Sequence, residues 1–253
     1  MAESTNNSSQ HDVAIRPDHF EIVGVRAVGF TPNRADFKSS AILAVTLGKY
    51  AKRYGDEVQS LPLPEEAPPH IPRILLKGGD GQWEFVASPA SISSAWNAQS
   101  GSPPIKENLA SLVSEVKGPI ENLVIEGRAR LGRLAIVITR ACATPEPSDA
   151  LIQRFCKPEV SGTESSDSPL RNSRNFELHN LKRYSSSFDA VEINSWVRCK
   201  TGQVDGKPAI VVEQDINTLA EAADKKVFDL REVTAFYEMA VAEAEQTLKK
   251  YFP

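Results

Sequence analysis

The chain has 253 residues, of which 41% are hydrophobic and 25% are charged, so it can bury a sizeable core without disulfide bonds or metal ions. Its 29 basic and 33 acidic residues give a formal net charge of −4, so net charge does not indicate nucleic acid as a partner. The three cysteines (Cys142, Cys156 and Cys199) form no CxxC pair, so we expect free thiols in a reducing compartment, with no metal and no other cofactor.

Two polar segments interrupt the apolar pattern. Residues 1–17 are rich in serine and asparagine and predict a flexible N-terminal tail, which leaves residues 18–253 as a single domain. Residues 162–173 predict a long surface loop. The chain shows neither a basic segment followed by an apolar run at its start nor a stretch of about 18 apolar residues. We therefore expect a cytoplasmic protein that does not engage a membrane.

The first elements in chain order are a strand and a helix. Residues 20–30 are β-branched and predict a strand, in which Gly24 and Gly29 indicate a bulge or a close backbone approach. An apolar stripe at helical spacing predicts a helix within residues 39–57. Its capping candidates are Ser39 or Ser40 at the start and Gly55 at the end.

A proline-rich connector at residues 61–72 comes next, followed by a hairpin. The segment RILLKGGDGQWEFVASP predicts two strands joined by a turn at residues 78–81. Residues 105–117 predict a second helix, which Gly118 and Pro119 interrupt before a short continuation to about residue 126.

The second half of the chain repeats this alternation. Residues 130–143 predict a buried strand, residues 147–158 a short helix, residues 175–202 two strands and residues 207–217 a further strand. The final helix has the best start signal, because Asp229 and Glu232 have the spacing of a capping box, with Phe228 and Val233 as a hydrophobic staple. We expect it to end near Tyr251.

These elements predict an α+β fold with a mostly antiparallel sheet and helices packed on one face. The order is β-α-β-β-α in about residues 18–127 and β-α-β-β-β-α in about residues 128–253. The similar order, with little residue identity, suggests two halves that arose by a distant duplication and lie side by side in one curved sheet. A chance similarity of order is the alternative.

Several stretches in a fixed order resemble a family of sporadically distributed bacterial proteins of about 250 residues. The resemblance covers about residues 20 to 253 and rests on LPLPEEAPPHIPRILLKGGDGQWEFVASPASISSAW, RLGRLAIVITRAC, NFELHNLKRY, NSWVRCKTG and VVEQDINT, followed by the closing amphipathic helix. It implies a bacterial cytosolic protein with no assigned activity. Because a patchy distribution is common among phage-defence and toxin–antitoxin genes, it also suggests a role in such a system. The family supplies no site residues.

The sequence contains no recognised catalytic signature. A GxxxxGK[ST] loop, a GxSxG elbow and an HExxH pair are all missing, and KGGDGQ at residues 77–82 fits a hairpin turn. Glu213 and Asp215 are two residues apart in one strand and therefore share a face. This spacing serves a metal or acid–base chemistry in some proteins, but pairing with neighbouring arginines is the favoured interpretation. We predict no catalytic residue and no metal site.

Strand alternation gathers a mixed set of side chains on one face of the predicted sheet. Acids and bases nearly balance there, so cross-strand ion pairs explain most of it. Trp196 is the exception: it either stacks on Arg183 or Arg198, is covered by a loop, or contacts a partner. The candidate binding residues are His179, Arg183, Trp196, Arg198, Glu213 and Asp215.

The favoured function is a non-catalytic binding or regulatory module that engages a protein partner, or a second copy of itself, near Trp196. A component of a phage-defence or toxin–antitoxin system is one alternative. An enzyme of unfamiliar type that acts on a nucleotide or nucleic acid is the other, because His179, Arg183, Arg198, Glu213 and Asp215 are predicted on one face.

Overall fold

A computed structural model of the protein describes residues 15–32, 37–79, 81–101, 108–161, 169–170, 172–186, 188, 191–223 and 225–253, with residues 159, 160 and 222 described for their backbone alone. The predicted tail falls outside this part of the chain up to residue 14. The predicted loop at residues 162–173 falls largely outside it. Ile15, at the end of the predicted tail, packs against the core.

The protein has an α+β fold with one antiparallel sheet and helices on one of its faces. The strands are β1 (Glu21–Phe30), β2 (Glu57–Ser60), β3 (Ile74–Gly78), β4 (Trp83–Ser88), β5 (Ser91–Asn97), β6 (Arg133–Ala143), β7 (Glu177–Ser185), β8 (Glu192–Val204) and β9 (Lys207–Thr218). The helices are α1 (Ser39–Tyr54), α2 (Leu109–Ile125), α3 (Pro147–Phe155), the single turn α4 (Pro158–Ser161) and α5 (Leu230–Tyr251).

The strand order shows how the two halves of the chain meet. Across the described residues the order is β2-β3-β4-β5-β1-β6-β9-β8-β7, with every neighbouring pair antiparallel. In each half the last strand returns beside the first, so β5 pairs with β1 and β9 pairs with β6. The halves join through the β1–β6 pair. This arrangement agrees with the duplication hypothesis, which stays a prediction.

Side chains alternate between the two faces of a strand, so each strand presents its apolar side chains to the face that the helices cover. In β1, Val25 and Ala27 are buried while Arg26 between them is exposed. The buried side chains of this face pack with α1, α2 and α5 in one large cluster that spans both halves. A smaller cluster joins Leu151 of α3 and Leu248 of α5 to strands β8 and β9.

The structure adds two strands to those predicted, β2 and β5. The sequence signal for β5 is weak because three of its seven residues are serines, which are typical of loops. Strand β2 has four residues, all exposed, so it carries no apolar alternation. Pairing with β3 for β2, and with β1 and β4 for β5, fixes both as strands.

Helix α1 begins differently from the prediction. Its N-cap is Lys38, whose side chain makes no capping hydrogen bond, so the prediction of Ser39 or Ser40 is wrong. Gly55 does end the helix, but with φ −93°, outside the left-handed region. Glycine is required there for steric reasons, because a Cβ would lie 2.4 Å from the carbonyl oxygen of Ala51.

Helix α2 continues through Pro119, where an interruption was predicted. Proline lacks the N–H that would bond to the carbonyl of residue 115, one turn earlier. In the structure Nη1 of Arg53 donates to that carbonyl oxygen of Glu115 at 3.0 Å. A side chain from α1 therefore replaces the missing helix bond, and the tertiary structure removes much of the penalty that a proline carries in an isolated helix.

Helix α5 confirms the predicted capping box. The Asp229 carboxylate accepts from the Glu232 backbone N–H at 2.9 Å, and the Asp229 N–H donates to the Glu232 carboxylate at 2.8 Å. The helix ends at Tyr251, as expected.

Among the described helices, including this 22-residue one, none is both long and apolar enough to cross a membrane.

Candidate functional site

The face of the sheet opposite the helices carries the predicted site. Strand β8 shows why: Ile193, Val197 and Cys199 are buried on the helix side, so Trp196 and Arg198 must point to the other side. The same alternation applies in β7 and β9. We call this second surface the open face, because the described helices pack on the opposite side.

Cross-strand register arranges the predicted residues of the open face in three rows. In the central row Trp196 lies between Asp215 of β9 and Leu181 of β7. In the row on one side Arg198 lies between Glu213 and His179. In the row on the other side Asn194 lies opposite Arg183. The six predicted residues therefore occupy adjacent positions on three neighbouring strands.

The row around Arg198 is held by ion pairs. Arg198 Nε lies 3.2 Å from Glu177 Oε1, and its Nη1 lies 3.4 Å from Glu213 Oε1. Nε2 of His179 lies 2.9 Å from the same Glu177 oxygen. The Arg198, Glu177 and His179 side chains are each 41–46% exposed. Solvent screening limits each such pair to roughly 0–1 kcal/mol, so the row contributes more to geometry than to stability.

Trp196 is exposed and has an apolar neighbour. Trp196 and Leu181 are opposite each other on adjacent strands, and each is 42% exposed. Stacking on an arginine does not account for this tryptophan, because Arg183 Nε donates to Asn194 at 3.1 Å and Arg198 is paired with carboxylates. The cation–π contacts recorded among the described residues do not include Trp196.

Leu181 was missed at the sequence level although the signal was available. His179 and Arg183 were assigned to the solvent side of their strand, and period two places Leu181 between them on the same side. The neighbouring leucine and tryptophan form the apolar part of the site, which we call the Trp196–Leu181 pair.

A shallow concavity of about 230 Å³ brings five of the six predicted residues together. Its lining consists of His179, Trp196, Val197, Arg198, Glu213 and Asp215. Arg183 lies outside this lining, beside Asn194 in the next row. The concavity is large enough for one side chain of a partner or a small ligand, and its volume lies below the range of about 300–1,000 Å³ that is typical of ligand and cofactor pockets.

Carboxylates outnumber guanidinium and ammonium groups in the lining of this concavity, whereas acids and bases balance just outside it. Within the lining, Glu213 and Asp215 supply two carboxylates and Arg198 supplies one guanidinium. Just outside it, Glu177 lies opposite Lys200 of β8. The Asp215 carboxylate accepts a hydrogen bond from Asn217 Nδ2 at 2.9 Å, and it forms no ion pair with another described residue. An exposed aromatic ring beside a carboxylate that forms no ion pair attracts cations.

The described residues offer no set of histidine, cysteine, aspartate and glutamate side chains that could hold a metal ion. The three cysteines are free thiols, and Cys142 and Cys199 are buried. Burial raises the pKa of the Cys199 thiol to about 12, so it stays protonated and unreactive at neutral pH.

A second concavity of about 220 Å³ lies between the start of α1 and the loop from α2 to β6. The charged side chains in its lining are all basic: Lys38, Arg128 and Arg130. No sequence motif marks these residues, which come from segments about 90 positions apart and meet through packing of α1 beside the α2–β6 connection.

Comparison with models of protein families, with curated proteins and with solved structures finds no match, so the family resemblance stays a prediction.

Proposed function

We propose that this protein is a non-catalytic binding module that takes up a protein partner on its open face, centred on Trp196. The observation that carries the proposal is the Trp196–Leu181 pair, in which two large apolar side chains lie side by side and 42% exposed. The charged residues of the adjacent row pair mainly with one another. Tryptophan is enriched at the centres of protein interfaces, where its burial contributes strongly to binding.

The charge around the concavity supports a partner that presents an arginine or lysine. Such a side chain can lie over the Trp196 ring and approach Asp215, which lies opposite it on β9. A partner carboxylate at this position would instead meet the Asp215 carboxylate and a guanidinium that is already paired. Electrostatic complementarity therefore favours a basic segment of a protein over an acidic one.

The test is capture of a stoichiometric partner from cells that natively express the chain, compared across matched variants. We expect Trp196→Ala to lower the affinity by about tenfold or more, since truncation of a central interface tryptophan removes about 1.4 kcal/mol or more. Asp215→Asn should lower it less and should reduce its salt dependence. Val58→Ala is the control, because Val58 is also a hydrophobic residue, 48% exposed, but lies in β2, at the opposite edge of the sheet.

Two results would contradict the proposal. If the wild-type chain and Trp196→Ala retain a partner equally, the partner does not bind at the surface around Trp196. Consistent isolation of the chain without any partner removes the binding function itself. Circular dichroism of each variant excludes unfolding as the cause of lost binding.

An enzyme acting on a nucleotide is the second candidate, and the contact between His179 and Glu177 at 2.9 Å favours it, because such a pair can orient a general base. We place it second because a phosphate needs free cations, and Arg198 already lies between Glu177 and Glu213. Nucleotide turnover that is abolished by His179→Ala would reverse this order.

A further inference from the structure

Strand β7 is an edge of the sheet. Among the described strands it pairs with β8 alone, so its other side offers a row of backbone N–H and C=O groups. Seven of its nine residues are exposed. The opposite edge, β2, has four residues, and short edge strands present little for another chain to pair with. The long edge of β7 is therefore the stronger candidate for an added strand.

The charges along β7 favour a second copy of the same strand in one particular register. Two antiparallel copies related by a two-fold axis through Asn180 place Glu177 of each copy opposite Arg183 of the other. The same register places His179 opposite Leu181. Both pairs of residues lie on the open face, because residues of odd number in β7 share that side.

Neighbouring registers lack this complementarity. The register centred on Leu181 places His179 opposite Arg183. The register centred on His179 places Glu177 opposite Leu181. Opposite charges in directly facing positions stabilise a strand pair, whereas an unmatched charge does not. The charges of β7 therefore select one register among the three.

Charged residues on an edge strand often prevent another strand from pairing with it. Lys182 points to the helix side, where its Nζ lies 3.2 Å from Glu243 of α5. In the Asn180-centred register it faces Leu178 of the other copy and meets no like charge. Glu177 contacts Arg198 and His179 of its own chain, so Arg183 of the other copy joins an existing charge network on the exposed side of the sheet. The charge pattern is thus compatible with self-pairing in this register.

We propose that two copies of this chain associate through antiparallel β7 strands centred on Asn180 and form one continuous sheet. The interface uses the edge of the sheet, while Trp196 lies on the open face one strand further in. The association therefore leaves the Trp196 ring accessible and brings the two open faces into one surface. It stands independently of the partner proposed above.

The test is the mass of the full chain in solution, measured by sedimentation velocity over a range of concentrations. We expect a dimer for the wild-type chain. Glu177→Arg and Arg183→Glu should each raise the dimer dissociation constant by about tenfold, because each creates two facing like-charge pairs. An equimolar mixture of the two variants should restore the dimer as a heterodimer, since opposite charges then face each other again at both of these pairs.

Recovery of the dimer on mixing the two variants would show that both are folded and that each had lost only the charge contact. Glu57→Arg, at the β2 edge, is the matched control and should leave the dimer unchanged. A wild-type chain that is monomeric at every concentration would overturn the inference. So would a dimer that neither variant weakens, or a mixture that stays monomeric.

Discussion

The two halves of the sheet have similar strand arrangements, with five described strands in the N-terminal half and four in the C-terminal half, but their faces carry different side chains. In the N-terminal half the helix-covered face holds large apolar side chains such as Phe85 and Trp96. In the C-terminal half the same face buries Arg140, which is 2% exposed. On the open face, the N-terminal half has the simple pair Arg26–Glu84 at 3.1 Å, whereas the C-terminal half has the Trp196–Leu181 pair. Similar arrangements of strands thus carry different side-chain chemistry on both faces.

The buried arginine belongs to a small polar network. Nη2 of Arg140 lies 2.6 Å from the Glu245 carboxylate of α5, and its Nη1 donates to the side-chain carbonyl of Gln214. Nε2 of Gln214 in turn donates to the backbone carbonyl of Ala244 at 3.1 Å. Burial lowers the pKa of Arg140, and the nearby Glu245 carboxylate opposes that shift. The network ties α5 to the centre of the sheet by directional bonds.

The largest expected effect concerns the apolar core of the N-terminal half. Phe85→Ala removes a fully buried ring and should lower the free energy of unfolding by about 4 kcal/mol. Val86→Ala, at the next position of β4, is the matched control, because its side chain points to the open face and should matter by less than about 1 kcal/mol. Urea unfolding measures both. Equal losses would contradict the assignment of the two faces.

A smaller effect is expected from the network of the C-terminal half. Glu245→Ala leaves the Arg140 charge buried without its carboxylate and should lower stability by about 2 kcal/mol. The value is below that of a fully buried pair because Glu245 is 42% exposed. Thermal unfolding measures the loss, and Glu238→Ala, an exposed glutamate of the same helix, should have little effect.

A double variant sharpens that test. Arg140→Met combined with Glu245→Ala removes the buried charge together with its partner and should recover part of the stability. If the double variant is less stable than Glu245→Ala alone, the buried guanidinium itself stabilises the fold, and the explanation by an uncompensated charge is wrong.

The smallest expected effect concerns the N-terminal caps of two helices, one from each half. Helix α5 is capped by the ionisable Asp229, whereas α2 is capped by Asn108. The hydrogen bond from the Glu232 backbone lowers the pKa of Asp229 in the folded state. The stability it contributes is therefore present above its unfolded pKa of about 3.9 and lost as pH falls through the lower folded value.

Melting temperatures between about pH 5 and pH 3 provide the measurement. Wild-type stability should fall relative to Asp229→Asn as the pH decreases, because the asparagine keeps a capping oxygen and does not titrate. Asn108→Asp should introduce the same dependence at α2. A constant difference between wild type and Asp229→Asn across this range would show that the carboxylate charge does not stabilise α5.

The sequence predicted those features that local periodicity encodes. Alternation in β8 placed Trp196 and Arg198 on the solvent side, and the spacing of Asp229 and Glu232 located the start of α5. Both predictions depend on residues within a few positions of each other. The same alternation in β7 places Leu181 on the solvent side as well.

Other features depend on residues far apart in the chain. The sequence could not show that α2 passes through Pro119, because the compensating donor, Arg53, comes from α1. Nor could it show β5 as a strand, since its serines gain their backbone bonds from β1 and β4.

Taken alone, the sequence determined the α+β class and the two faces of the C-terminal strands, because hydrophobic periods of about 2 and 3.6 residues are local properties. The tertiary structure decided that β1 and β6 join the two halves, that Arg198 lies between two carboxylates, and that Leu181 lies beside Trp196. These facts follow from strand order and register, which hydrogen bonding between distant segments fixes and no single segment encodes.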